Sequence, residues 1–301
     1  MRIVAIIPSP YYLTSIKHLY TLSMNMDIHF FFPIQQVYSN LPVRLCQKKE
    51  QALSLVDLHL IEQALQQDAT SFLPQILSQA EQCYFQRFKY IKRKKEWLGG
   101  RIAGKAALLA LADATAPNMR NIMRNMTILP NKHGRPIIKE LPACLSTQAS
   151  QASQASQASQ ASQASDITIS ISHSDGFATA LARKKSATHP SCGVDIQEIS
   201  SKLAGLTSHF ATDAELQLLS EQTDCAEDIR LTMLWTVKEA LKKALLHDQS
   251  VIFSATELQE IVRISDSVWC FTCTVQRQVQ SVLVHHLSPY VVSFTQESCH
   301  A

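Results

Sequence analysis

Trp235-Thr236-Val237-Lys238-Glu239-Ala240-Leu241-Lys242-Lys243 sits in a run from Asp228 to Leu246, where Leu234, Val237, Leu241 and Leu245 fall on one helical stripe. Lys238, Glu239, Lys242 and Lys243 crowd the remaining surface of that helix. Upstream, Thr212-Asp213-Ala214-Glu215 has the form of a capping box and starts a second helix, to Leu219. Runs that read as strands flank the two helices: Gly193 to Ile199 before them, then Val251 to Phe253, Val268 to Val275, Val282 to His286 and Tyr290 to Phe294. Helices followed by antiparallel strands make the fold class α+β.

Toward the N-terminus, Asp166 to Ser172 alternates Ile167, Ile169 and Ile171 with polar residues, a half-buried strand pattern, and Phe177 to Ala182 reads as its hairpin partner. Gln148 to Ser165 is six copies of Gln-Ala-Ser with no apolar face to bury, which reads as a disordered insertion in a loop. Trp97, Leu98, Ile102, Ala106 and Leu109 form an apolar helical stripe, with Arg101 and Lys105 on another face. The glycines in this segment, Gly99, Gly100 and Gly104, argue for close packing or for close backbone approach to a ligand. Residues 49 to 68 and 72 to 92 carry apolar residues at helical spacing, and residues 1 to about 45 read as short strands and loops.

A chain of 301 residues suffices for one large or two modest domains. A formal charge of +3 is too small to imply a nucleic-acid partner by itself. The apolar start, Ile3 to Ile7, is broken by Pro8 and Pro10 and lacks the longer apolar core of a signal peptide. No stretch reaches membrane-spanning length, so a cytoplasmic location is expected. The eight cysteines then read as buried thiols rather than a disulfide framework. Cys270-Phe271-Thr272-Cys273 lies within a strand, where a spacing of three puts the two sulfurs on opposite faces.

Four features could carry chemistry. On the helix, Glu239 and Lys243 read either as a solvated i,i+4 ion pair or, given a partner carboxylate, as part of a site. Gly193-Val194-Asp195-Ile196-Gln197 supplies such a carboxylate, since alternation puts Asp195 and Gln197 on one strand face. With Glu239 they offer the oxygen ligands that a hard cation such as Mg²⁺ takes. Ser172-His173-Ser174 ends the strand after the repeat and offers hydrogen-bond donors and a proton carrier, or is simply a turn. The cations Arg87, Lys89, Lys92, Arg93, Lys94 and Lys95, with Arg101 and Lys105 beyond them, could neutralise a polyphosphate, bind nucleic acid or a membrane surface, or be solvated.

Together and in this order, these segments resemble the phosphopantetheinyl transferases of the surfactin-synthetase-activating (Sfp) type. The resemblance rests on Gly99 to Lys105, His133-Gly134-Arg135-Pro136, Ser172-His173-Ser174, Gly193-Val194-Asp195 and Trp235 to Lys243. It implies two pseudo-symmetric α+β halves, here 1–190 and 191–301, each a small antiparallel sheet packed with helices, with coenzyme A in the cleft between them. It implies transfer of the 4′-phosphopantetheine arm to a serine of an apo carrier protein of fatty-acid, polyketide or nonribosomal-peptide synthesis, by a monomer. Asp195, Gln197 and Glu239 then resemble the magnesium ligands. Glu239, Lys243 and His173 are similar to the catalytic groups, and Arg101, Lys105, Arg135, Ser172, His173 and Lys243 to the coenzyme A contacts. Many members carry a carboxylate where this chain has Gln197. That departure leaves a rival expectation, a non-catalytic module that binds coenzyme A or a carrier protein.

Overall fold

The isoleucine alternation does make a strand, and it forms one edge of the first of two antiparallel sheets. The computed structural model describes residues 43–48, 50–112, 119–142, 145, 166–187, 191–246 and 255–296. The first sheet runs β1-β2-β6-β5, from β1 (Val43–Lys48), β2 (Gln51–Asp57), β5 (Ile167–His173) and β6 (Phe177–Lys184). A separate hairpin pairs β3 (Thr127–Pro130) with β4 (Pro136–Glu140). The second sheet runs β7-β11-β10-β9-β8, from β7 (Val194–Glu198), β8 (Thr256–Ser265), β9 (Val268–Val275), β10 (Gln278–Leu287) and β11 (Tyr290–Gln296). The helices are α1 (Leu58–Ile76), α2 (Gln79–Phe85), α3 (Ile91–Leu111), α4 (Met119–Asn125), α5 (Thr207–Phe210), α6 (Asp213–Gln222) and α7 (Glu227–Leu245). None of the described helices is long and apolar enough to cross a membrane.

Three cores stack through the molecule. Helix α3 covers the first sheet, where Ile102, Ala103 and Ala106 meet Ala52, Val56 and the small face Ala178, Ala180 and Ala182 of β6. Helix α7 covers the second sheet, where Leu234, Val237 and Leu241 meet Trp269, Phe271, Val282 and Val284. Between the sheets, Leu181, Leu53 and Leu55 pack against Val194, Ile196, Leu283, Val292 and Phe294. Strand β2 is thus buried on both faces. Its apolar residues occupy both parities, which mimics helical spacing, so the helix expected from residue 49 is corrected to a strand until Asp57. The glycines of α3 serve packing. A Cβ on Gly99 would lie 2.3 Å from Leu58 Cδ2, and one on Gly104 would lie 3.0 Å from side chains of Ile128 and Ile169.

A buried ion pair recurs in one setting at two places. Ser78 and Glu81 close a capping box on α2. There Glu81 Oε2 accepts the Ser78 N–H at 3.0 Å and Lys105 Nζ at 2.5 Å, while Oε1 accepts the Ile128 N–H at 2.9 Å. Thr212 and Glu215 close the same box on α6. There Glu215 Oε2 accepts the Thr212 N–H and Lys238 Nζ, each at 2.9 Å, and Oε1 accepts the Leu258 N–H at 3.0 Å. Both pairs are almost wholly buried, so their charges are tolerated only because each carboxylate oxygen is matched by donors. Lys238, read from sequence as a surface cation, is corrected to a core residue.

The reading of the cysteines as buried thiols is corrected as well, since Cys83 is exposed. Cys83, Cys192, Cys225 and Cys273 are free, but Cys270 is disulfide-bonded. The strand expected at Val251 to Phe253 and the Gln-Ala-Ser repeat lie outside the described residues, as does nearly all of the segment 1 to 45.

His285 of β10 is buried, stacks on Phe294 at 5.5 Å between centroids, and among the described residues has no hydrogen-bond partner for Nε2. Burial pushes its pKa from 6.5 down to about 4. The unfolded chain then binds more protons than the folded one between those values, so stability is full above the ordinary histidine pKa and declines as pH falls toward the folded value. The loss sums to about 3 kcal/mol. Chemical denaturation across this range is expected to show the decline, and His285→Phe to flatten it; an identical pH dependence in the variant would contradict the burial effect.

Candidate functional site

Strands β5 and β7 are edges of different sheets and lie against each other along a seam. Alternation sends Ile167, Ile169 and Ile171 under α3 and turns the serines to the seam. Ser170 Oγ accepts the Val194 N–H at 3.1 Å, and Ser174 Oγ accepts the Glu198 N–H, also at 3.1 Å. Between them Ser172 Oγ donates to Asp195 Oδ1 at 2.7 Å. Hydroxyls thus do here what a backbone ladder does inside each sheet. Ser172, expected to meet coenzyme A, is occupied in holding Asp195.

Helix α7 reaches the seam because Gly193 lets it. A Cβ there would lie 1.8 Å from the Ala240 carbonyl oxygen, so no side chain fits. One turn along, Lys243 Nζ donates to Asp195 Oδ1 at 2.7 Å and to the Val194 carbonyl at 3.1 Å. Glu239 stands one turn earlier on the same helix face. It pairs with Lys242 at 3.1 Å, so the i,i+4 pair with Lys243 is replaced by the contact of Lys243 with Asp195. The carboxylates are mostly enclosed, with side-chain exposures of 9% for Asp195 and 16% for Glu239.

His173 closes the seam at the end of β5. Its Nε2 lies 4.0 Å from Glu96 Oε2 of α3, a carboxylate that Arg93 also approaches at 3.1 Å and Lys92 at 4.0 Å. Lys92 in turn reaches Asp175 at 3.2 Å. Burial holds the His173 pKa below its ordinary value; Glu96 opposes this, Lys243 and Arg93 reinforce it, and Asp195 opposes it. Sequence reading passed over Glu96. Its only signal was a single acid ending a run of cations, four residues after Lys92.

The remaining expected residues are spread more widely. Gln197 is half-buried and by alternation shares the Asp195 side of β7; its Nε2 donates to the Glu198 carbonyl at 3.3 Å. Arg135, in the turn that Gly134 makes at φ 84°, donates to Thr168 Oγ1 at 3.3 Å and to Ser191 Oγ. Thr168 is five residues from His173 along β5, roughly 16 Å by strand rise, so Arg135 and His173 mark opposite ends of the seam. Lys105 is not at the seam. It has no exposed surface, and its three donors are spent on Glu81 and the carbonyls of Ile76 and Met123, which leaves none for a phosphate. Arg101, one turn before it, turns the same way and stacks over Trp97 at 4.6 Å. Burial pushes its pKa down to about 10. The face that carries Trp97, Arg101 and Lys105 packs on α2, which is why both cations point inward.

Among the described residues no cluster of three or more His, Cys, Asp or Glu forms a metal site. The oxygen ligands present are nevertheless of the type a hard cation takes. Asp195 Oδ2, Glu239 Oε2 and Gln197 Oε1 accept no hydrogen bond among the described residues, and magnesium takes few protein carboxylates beside water and substrate phosphates.

No curated protein matches the sequence. The segment that carries Asp195, Gln197, Glu239 and Lys243 has a counterpart all the same: residues 191–295 match the family model of the 4′-phosphopantetheinyl transferase superfamily.

Proposed function

We propose that the chain transfers the 4′-phosphopantetheine arm of coenzyme A to a serine hydroxyl of an apo carrier protein, releasing adenosine 3′,5′-bisphosphate. The observation that carries this reading is the meeting of Lys243 with Asp195 at the seam, with Glu239 one turn away and His173 at the strand end. In such a transfer the serine oxygen forms a bond to the β-phosphorus while the bond from that phosphorus to the bisphosphate oxygen breaks. The work is chiefly positioning and charge neutralisation.

Asp195, Glu239 and Gln197 would hold magnesium, which when bound neutralises charge on the pyrophosphate. Lys243 serves the same phosphates from the helix, released from Asp195 as they arrive. His173 and Arg135 bind anionic oxygens at the two ends of the seam. Glu239 takes the proton from the attacking serine, directly or through a water, on the oxygen that among the described residues otherwise meets only Lys242.

Asp195→Ala and Glu239→Ala are each expected to lower kcat by about 100-fold or more, on the scale of losing one preorganised electrostatic group; the melting temperature should change little for Glu239→Ala and fall for Asp195→Ala, which strips Ser172 and Lys243 of their shared partner. Full activity in both variants would refute the assignment. One observation favours a second reading, a binding module without turnover: Gln197 is neutral where a third carboxylate would strengthen the metal set. Calorimetric binding of coenzyme A without any magnesium-dependent loading of a carrier would support that reading over the first.

A further inference from the structure

The interaction that stands out beyond this reading is the one Glu96 makes. Its side chain is 7% exposed although it belongs to the first turns of a helix rich in surface cations. A carboxylate in that position normally reaches solvent. Here a single oxygen, Oε2, is shared between Arg93 at 3.1 Å and His173 Nε2 at 4.0 Å, and Oε1 lies 4.0 Å from Lys92. Those neighbours come from two elements, α3 and β5, so Glu96 lies where the helix meets the end of the strand that bears the seam. The groups facing His173 are otherwise Lys243 of α7 and Asp195 of β7, with Lys243 and Arg93 disfavouring a charged imidazole. Without Glu96, the cations around His173 would outnumber the acids. Arginine would also lose the carboxylate that holds it beside the histidine.

We propose that Glu96 is a positioning residue, a buried carboxylate that holds Arg93 beside His173 so that the guanidinium and the imidazole together face an anionic phosphate oxygen of the incoming substrate. It touches no reacting atom. This inference rests on the transferase reading for its ligand, coenzyme A, but its test does not depend on turnover.

Calorimetric binding of coenzyme A to the full chain provides that test through a double-mutant cycle of Glu96→Gln and His173→Ala. Glu96→Gln is expected to weaken binding about tenfold, the scale of coupling within one ion-pair network, and to have little further effect once His173 is already alanine. Glu96→Asp, which keeps the charge, is expected to recover part of the loss. Transfer assays should show the change in KM for coenzyme A with kcat nearly constant. A purely structural Glu96 would instead give additive losses in the two backgrounds with lowered melting temperature, and that outcome overturns the proposal, as does unchanged binding by Glu96→Gln. Failure of the wild-type chain to bind coenzyme A at all would count against the transferase reading itself and remove the ligand on which the proposal stands.

Discussion

Gly193→Ala is expected to destabilise the protein by about 3 kcal/mol or more, lowering the melting temperature by roughly 10 °C, or to leave it insoluble. The added Cβ would lie 1.8 Å from the Ala240 carbonyl oxygen and 3.0 Å from the Ala244 amide nitrogen, both backbone atoms in the last two turns of α7. A side chain can rotate away from a new neighbour, but a helical carbonyl can move only if the helix moves. Shifting α7 off the seam would pull Lys243 from Asp195 and uncover Val237 and Leu241, which are fully buried. Gly99→Ala is the matched control: its Cβ would meet Leu58 Cδ2, the end of a flexible side chain, and a loss of about 1 kcal/mol is expected there. Thermal unfolding of both variants decides the matter. A Gly193→Ala protein that melts like the wild type would mean that α7 does not approach β7 as closely as described.

Lys105→Met and Lys238→Met are each expected to cost about 3–5 kcal/mol, because each leaves a buried carboxylate, Glu81 or Glu215, without its cation. Pairing the change with Glu81→Gln or Glu215→Gln should return part of the loss, since a neutral amide can still accept the Ile128 or Leu258 N–H. The Lys105 result also separates two readings of that residue. A phosphate contact would show itself as a raised KM for coenzyme A in a protein of normal stability. The core role predicts the reverse, a lowered melting temperature with KM almost unchanged in the protein that remains folded.

The contrast between Lys105 and Lys243 explains how far the sequence could be read. Both are lysines on amphipathic helices that the sequence resemblance assigns to phosphate, and nothing local distinguishes them. Lys105 is claimed by Glu81, which lies 24 residues away, and Lys243 by Asp195, which lies 48 residues away. Only the packing of the helices reveals which carboxylate each one meets. The strands around Ile167 to Ser172 and Phe177 to Ala182, the capping box at Thr212 and the long helix after Asp228 were legible, because alternation, caps and helical stripes are local signals. Strand β2 was not, since burial on both faces erases alternation. The role of Ser172 was hidden for another reason. A serine beside a histidine looks like a turn or a ligand contact, and its function as a clamp on Asp195 depends on two sheet edges meeting.

The capping-box glutamate recurs with the same sense of construction. Glu81 and Glu215 each sit three residues after their cap, each takes a lysine from the next long helix, and each takes an amide from a later strand. We take this repetition as support for a division of the chain into two related α+β halves, with the serine seam as the place where they join. In that arrangement the first half contributes Ser172, His173 and Glu96, and the second contributes Asp195, Glu239 and Lys243.

The intact mass of an apo carrier protein, measured after incubation with the full chain, coenzyme A and Mg²⁺, tests the transferase reading most directly. The expected result is the gain of one phosphopantetheine group on the carrier serine, absent when Glu239→Ala replaces the wild type or when the metal is chelated. A carrier panel that stays at its apo mass with the wild-type chain, while an authentic transferase loads it, would contradict that reading.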